Sequence, residues 1–490
     1  MKRYIGFIFV AIFTLNAPFA YAQSACTTIN SDLTFGASGS EVTKLQAFLK
    51  IQGYFSATSM PYFGSATLAA VRDYQRASGI STTGTVGPLT RAAIQRASCG
   101  TSSGSASASV TNTSSGSFEV SGWIPYWRSA TGTIDVLPHL DSLTEVNPFV
   151  YTIKNDGTLL DNGTLDSEPW ASFIVAAKAK KVRVIPTVMT SNSELLHELL
   201  SNSAKRVALE DRITKLVKDN GFDGIDIDFE GKKAADKDYF STFLKGLYAR
   251  MGTKWVMCTI ESRTPNDSRY YGTEIPPDAT IYANDFVAIN KYCDRVRIMA
   301  YDQQGVDLQL AALAASSSQI YAPLADPAWV EKVVNLAKKN IKASKIMIGV
   351  PTYGYEYDVT AYANNEYVYD LLWSFNPGYA YPLAALYGVT PQRNAAGEMY
   401  FTYTPNNSAG STTPTTLGPN SALLAASAAN LYATTYNSHI TFRLLDWSDA
   451  QSVKTKIDLA KRLGVRGISV FKFDGGEDPN IWGVLQGVKK

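Results

Sequence analysis

Between residues 119 and 473 the chain alternates eight short, β-rich apolar runs with stretches of helical periodicity, and few folds accept that alternation. The runs are 119–126, 145–153, 182–189, 222–230, 254–261, 295–302, 345–353 and 466–473, and the helical stretches include 168–180, 204–219, 236–251, 328–342 and 448–464. Strands buried on both faces and joined by helical crossovers read as continuous Val/Ile-rich runs, the pattern of a parallel sheet. Eight of them in one chain favour an α/β fold, a closed (β/α)8 TIM barrel. The rival, an open doubly wound sheet, carries a Gly-rich phosphate turn after its first strand, and none follows residue 126. Residues 356–440 are too long for a plain loop. Rich in Tyr, Asn and Thr, they predict an α+β insertion after the seventh strand.

The barrel run, 118–490, is preceded by three other kinds of sequence. Lys2 and Arg3, the apolar stretch Tyr4–Leu15 and the small-x-small site Ala20-Tyr21-Ala22 predict a secretory signal over 1–22. Removing it leaves no run of 18 apolar residues, so the expectation is an exported chain that does not enter the membrane. Residues 100–117 are almost wholly Gly, Ser, Thr and Ala and predict a linker without a core. The G-T-S-S-G within them matches the nucleophile-elbow pattern only formally, because it lacks the flanking strand and helix. Between signal and linker, residues 26–99 carry three amphipathic stretches. Val42, Leu45, Phe48 and Leu49 share one helical face, with Ser40 placed to cap it. Leu68, Val71, Tyr74 and Gln75 mark a second face, and Leu89, Ala92, Ala93 and Ile94 a third. Such a bundle has little room for a buried active site, which makes binding the expected role.

Charge and cysteine content narrow the partners. Lys and Arg number 45 against 43 Asp and Glu, so no chain-wide nucleic-acid surface is expected. Export permits disulfides. Cys26 and Cys99 bracket the three-helix segment, where a bridge would staple its ends together; Cys258 and Cys293 either pair or stay free. The cysteine spacings fit no zinc pattern and the three histidines lie far apart, so neither metal nor cofactor is expected.

The chemistry concentrates in Gly221–Glu230, G-F-D-G-I-D-I-D-F-E. Asp226, Asp228 and Glu230 alternate with Ile225, Ile227 and Phe229, so one strand face is acidic and the other apolar. If the apolar face packs under the helices, the carboxylates enter the barrel, where burial and mutual repulsion raise their pKa values. Proton sharing between Asp226 and Asp228, a bound cation, or a requirement of chemistry would justify the cost. No His or Asn is arranged to complete a metal shell, so acid catalysis by Glu230, at the strand's C-terminal end, is the better fit.

Two resemblances add to this reading. G-S-E-V-T-K-L-Q-A-F-L, Y-F-G-S-A-T-L-A-A-V-R-D-Y-Q and T-G-T-V-G-P-L-T resemble the bacterial peptidoglycan-binding module of three helices. D-G-I-D-I-D-F-E resembles the D-x-x-D-x-D-x-E signature of family-18 glycoside hydrolases, which include chitinases. R-I-M-A-Y-D (Arg297–Asp302) and I-G-V-P-T-Y-G (Ile348–Gly354) are similar to that family's sixth- and seventh-strand motifs. The closing W-S-D-A and G-I-S-V-F-K-F are similar to the spore-cortex and peptidoglycan glucosaminidase branch. This resemblance implies substrate-assisted retaining hydrolysis of β-1,4 bonds, an exception to the two-carboxylate scheme. Glu230 would be general acid/base, Asp228 would hold the substrate acetamide, Asp226 would support it and Tyr301 would bond the acetamido carbonyl. Asp223 and Asp302 would be supporting residues. Tyr353, Trp123, Tyr126 and Phe471 would contact sugar, with Trp123 and Tyr126 equally readable as core. Phe471 stands where the family usually has Trp, and Pro186–Thr190 (P-T-V-M-T) replaces S-x-G-G, which bears on substrate choice. The implied partner is peptidoglycan or a related N-acetylglucosamine polysaccharide in the wall. The alternatives are a chitinase acting on chitin or chito-oligosaccharides and a non-catalytic wall-binding protein.

Overall fold

A computed structural model describes residues 27–78, 82–99, 117–303, 307–316, 319–363, 366–405 and 421–488. The expected signal, most of the linker and the Cys26–Cys99 pairing lie outside the described residues or side chains. The chain divides into two compact units, one within residues 1–110 and one within 111–490.

The first unit holds three helices, Ser40–Ile51, Ser65–Ala77 and Pro88–Cys99. Val42, Leu45, Phe48 and Leu49 bury the face expected of them, against Phe63, Val71, Tyr74 and Ile94. The first helix is capped by Gly39 with no side-chain cap, so Ser40 does not take the predicted role. Two buried glutamines hold the loops. Gln46 donates to Tyr62 O and Thr67 Oγ1 and accepts from Met60 N, and Gln75 donates to Thr85 O and Thr90 Oγ1 and accepts from Gly84 N. A buried amide left without those partners would cost about 1–3 kcal/mol, so each glutamine fixes one loop geometry.

In the second unit, eight parallel strands close on themselves: Glu119–Pro125, Glu145–Ile153, Thr187–Thr190, Gly224–Phe229, Trp255–Glu261, Arg295–Met299, Ile346–Pro351 and Gly467–Phe471. The first pairs with both the second and the eighth, which leaves no open edge in the barrel. The helices Trp170–Ala179, Ser203–Asp219, Lys237–Met251, Pro327–Ala337 and Ala450–Arg462 follow the predicted stretches. Outward residues of the strands and inward residues of the helices form one core, including Ile225, Ile227, Phe229, Phe243, Leu244 and Val330. Cys258 and Cys293, left open by the sequence, are joined by a disulfide with Cα atoms 5.9 Å apart.

Between the seventh and eighth strands rises a five-stranded antiparallel sheet in the order Tyr367–Phe375, Gly354–Tyr362, His439–Trp447, Met399–Tyr403, Gln392–Arg393. Helix Leu424–Tyr436 packs its alanines against this sheet. The insertion is therefore wider at both ends than the expected 356–440. Its first strand begins three residues after the barrel strand ends, because the same tyrosine-rich run continues as an extended chain into the new sheet.

Candidate active site

The fourth barrel strand separates its side chains as alternation requires. Phe229 stacks on Phe243 of the helix behind it, centroids 5.4 Å apart, while Asp226 meets groups from four other barrel strands. Trp123 Nε1 (3.0 Å) and Thr187 Oγ1 (2.9 Å) donate to Asp226 Oδ2. Thr259 Oγ1 (2.8 Å) donates to Oδ1, and Arg297 Nη1 lies 2.7 Å from the same oxygen. Arg297 also ion-pairs with Glu145 of the second strand, and Glu145 accepts from Asn147 Nδ2 at 2.8 Å. The carboxylate cluster thus has an internal cation that the acidic strand did not announce. With both oxygens of Asp226 taken by donors, the expected proton sharing with Asp228 has no opening.

Above this layer the carboxyls become poorer in partners. Asp228 is 3% exposed and its Oδ1 is buried without a hydrogen bond. Burial, then the charge of Glu230, then that of Asp226 push its pKa well above the ordinary carboxylate value. Glu230 follows the strand's last residue and is half-buried at the C-terminal mouth. Its pKa is raised by burial first and by Glu261 next, against the opposing pull of Lys232, with Asp302 adding to the rise. Glu261, at the end of the fifth strand, accepts from Gly231 N (2.9 Å) and Asn284 Nδ2 (2.6 Å). Lys232 is buried, donates to Phe229 O and sits 3.5 Å from Glu261.

The far wall comes from the sixth to eighth strands. Tyr301 is buried, lies nearly parallel to Phe471 at 5.8 Å, and its phenol is held protonated by burial and by the charge of Asp228. Asp302 has φ 57°, a left-handed conformation that Asp tolerates better than most residues. It accepts from the hydroxyls of Tyr353 (2.5 Å) and Tyr355 (2.8 Å). Phe471 is the hub of these rings, with Trp123, Phe149 and Tyr353 edge-on to it at 5.9–6.2 Å.

The structure therefore gathers Glu230, Asp228, Asp226, Tyr301, Asp302, Tyr353 and Phe471 in one mouth, and sets two expected residues apart. Trp123 is 1% exposed and offers no ring face to a sugar; it is a core residue that bonds Asp226. Asp223 precedes the strand at the opposite end and accepts from Val184 N at 2.8 Å. Seven residues of extended chain put it about 20 Å from Glu230, too far for an electrostatic role at the site. Tyr126 is exposed beside Trp127 at the mouth's edge. Arg297, Glu145, Glu261 and Lys232 were not anticipated. The signal available for Arg297 was a charged residue inside an apolar strand, which must find a buried partner. Among the described residues no group of three or more His, Cys, Asp and Glu is arranged to hold a metal ion.

Comparison with known proteins agrees with this architecture. An uncharacterized glycosylase of Bacillus subtilis, YvbX, is 24% identical over 229 residues; the match takes in 45% of this chain and 61% of that relative, about three fifths of its length. The Bacillus cereus spore cortex-lytic enzyme SleL superposes with a TM-score of 0.56 at 18% identity, over 76% of this chain and 74% of that one. A chitinase from Chromobacterium violaceum gives 0.54 at 19% identity, over 76% and 98%. At these identities the two structures speak for the fold. The family model of a peptidoglycan binding domain matches residues 38–94. The model for glycosyl hydrolases family 18 matches residues 122–476, and the chain belongs to that family.

Proposed function

We propose that the protein is an exported glycosidase that cleaves β-1,4 bonds in N-acetylglucosamine-containing cell-wall glycan, with its N-terminal unit holding it to peptidoglycan. One observation carries the reading: two carboxyls of raised pKa, Asp228 and Glu230, meet the buried phenol of Tyr301 at the C-terminal mouth of a family-18 barrel. In this reading Glu230, its pKa raised by burial and by Glu261, gives its proton to the glycosidic oxygen as that bond breaks. The acetamido oxygen of the same sugar bonds to the anomeric carbon and closes an oxazolinium ring. Asp228 and Glu230 enter this step with one proton between them, on Glu230, so Asp228 acts as the anion: it accepts the acetamido N–H and offsets the positive charge. The Tyr301 hydroxyl donates to the acetamido oxygen and orients it. Glu230, now a carboxylate, takes a proton from water, and that water opens the ring with net retention. Asp226, fixed by three hydrogen-bond donors and the Arg297 ion pair, sets the position and charge beneath Asp228. The peptidoglycan binding domain favours wall glycan over chitin as the substrate.

The test is release of reducing ends from purified peptidoglycan and from chitin oligosaccharides by the full chain and by Glu230→Gln. Hydrolysis by the parent and its loss in the variant, with pull-down by wall sacculi retained, is the expected result. Hydrolysis surviving in Glu230→Gln overturns the mechanism. Turnover of chitin oligosaccharides alone overturns the substrate.

A further inference from the structure

The mouth continues, past Tyr353, into a cleft of about 200 Å³ formed by residues that follow the first and eighth barrel strands and by the insertion sheet. Its walls include Trp127, Arg128, Tyr353, Asn376, Lys472 and Asp474. Tyr353 belongs to both spaces, since its hydroxyl bonds Asp302. Lys472 directly follows Phe471, the hub of the aromatic cluster.

The charges in the cleft do not balance. Asp474 is buried and committed: it accepts from Asn376 Nδ2 (3.1 Å), Gly476 N (2.9 Å) and the ammonium of Lys472. Arg128 is 41% exposed along its side chain, and its Nε stands 3.8 Å from Asp474 Oδ2, beyond hydrogen-bond reach. Its guanidinium donates no hydrogen bond to a described residue. Two cations therefore share one carboxylate. The surplus positive charge is a planar fork lining the same cleft as Trp127, which is 51% exposed. A polymer of N-acetylglucosamine alone presents neutral hydroxyls and acetamides, which can take single N–H bonds from a guanidinium but offer no negative charge to match it. A carboxylate matches that fork in shape and charge, through two parallel N–H···O bonds.

We propose that this cleft is a carboxylate-recognition subsite, with Arg128 as its specificity-determining residue, selecting glycan whose sugars bear a carboxylate-carrying substituent. The proposal rests on the glycosidase reading of the adjoining mouth. In wall glycan the carboxylate has two sources: the lactyl group of a peptide-free muramic acid, or the acidic residues of the attached peptide stem.

The experiment measures kcat/KM of the full chain on three ligands of equal length: peptide-free wall strands, peptide-bearing strands, and chito-oligosaccharides. Arg128→Gln and Arg128→Lys are measured alongside. At about 50 mM salt the parent is expected to prefer one carboxylated strand over the neutral one by about tenfold, and to lose most of that preference at about 500 mM. Arg128→Gln brings the ratio close to one; Arg128→Lys, which keeps the charge and loses the fork, falls between, and carries the test if the glutamine variant does not fold. Preference for peptide-free strands assigns the lactyl carboxylate; preference for peptide-bearing strands assigns the stem. A parent ratio near one, or a ratio that Arg128→Gln leaves unchanged, overturns the proposal. If the parent releases no reducing ends from any of the three, the glycosidase reading fails. The same ratios, read as calorimetric binding constants for parent and variants, then decide the subsite alone.

Discussion

Arg297 Nη1 lies 2.7 Å from Asp226 Oδ1 at the centre of the barrel, with both side chains fully buried. The guanidinium also pairs with Glu145, so one cation from the sixth strand serves two carboxylates, on the second and fourth strands. This explains how a strand bearing consecutive inward carboxyls remains foldable: the lower one is neutralised by the protein itself. The upper two have no ion pair of their own, since the nearby Lys232 pairs with Glu261, and their pKa values stay raised.

Arg297→Met follows directly. The variant leaves Asp226 buried without its cation, while Glu145 keeps Arg183 at 3.2 Å; removing one partner of a buried pair costs about 3–5 kcal/mol. Denaturant unfolding should show that loss, and adding Asp226→Asn to Arg297→Met should recover most of it, because both charges of that pair then leave together. A loss under about 1 kcal/mol in the single variant would mean that the pair contributes only as surface pairs do.

Glu261 sets much of the acidity of Glu230. Its charge is the largest influence on Glu230 after burial, and it also holds Lys232 in place as counter-ion. Glu261→Gln removes an anion near Glu230 and leaves the Lys232 ammonium less compensated. Both changes lower the pKa of Glu230. Under the proposed mechanism Glu230 acts in its protonated form, so the alkaline limb of the kcat/KM profile should move to lower pH, with the acidic limb nearly still. An alkaline shift, or none, would show that Glu261 does not set the acidity of Glu230.

The barrel was legible because its strands are buried on both faces, and such runs stand out from helical periodicity in any sequence. The acidic face of the fourth strand was legible for the same reason: alternation fixes which residues share a side. Alternation says nothing about what lies opposite, however. Trp123 looked equally able to stack on a sugar or to fill the core, and only the register of the first strand against the others turns it to Asp226. Asp223 sits one step outside the alternation and three residues earlier in the chain than Asp226, a shift that in extended chain leads away from the mouth. Arg297, Glu261 and Arg128 come from three other segments and join the site through barrel closure, which no local pattern encodes.

The Cys258–Cys293 disulfide closes a separation of 35 residues around the fifth and sixth strands, and both cysteines are fully buried. Loop entropy alone assigns it about 4 kcal/mol. Replacing both cysteines by Ala should lower the unfolding free energy by up to about that amount while leaving the far-ultraviolet circular dichroism unchanged. A double variant as stable as the parent would show that the barrel's own closure already restricts this loop.

Asp228→Asn should separate stability from function. Burial and two neighbouring anions raise the pKa of Asp228 in the fold, so above the ordinary carboxylate range the native state binds more protons than the unfolded chain. Stability supplied by the protonated form is complete below that range and is lost as pH rises through the native pKa. An asparagine keeps the shape and never ionises. The variant should match the parent at about pH 3.5, below the ordinary aspartate pKa of about 3.9. It should exceed the parent by about 1–3 kcal/mol at pH 7, the order of cost for a buried acceptor left unpartnered. Under the proposed mechanism the same variant has no anion to offset the oxazolinium charge, and its kcat should fall by about 100-fold or more. Thermal unfolding at the two pH values, run beside the reducing-end assay, reads both effects. A variant less stable than the parent at pH 7 would mean that the ionised carboxylate is compensated by its surroundings, and the high pKa assigned to Asp228 would be wrong.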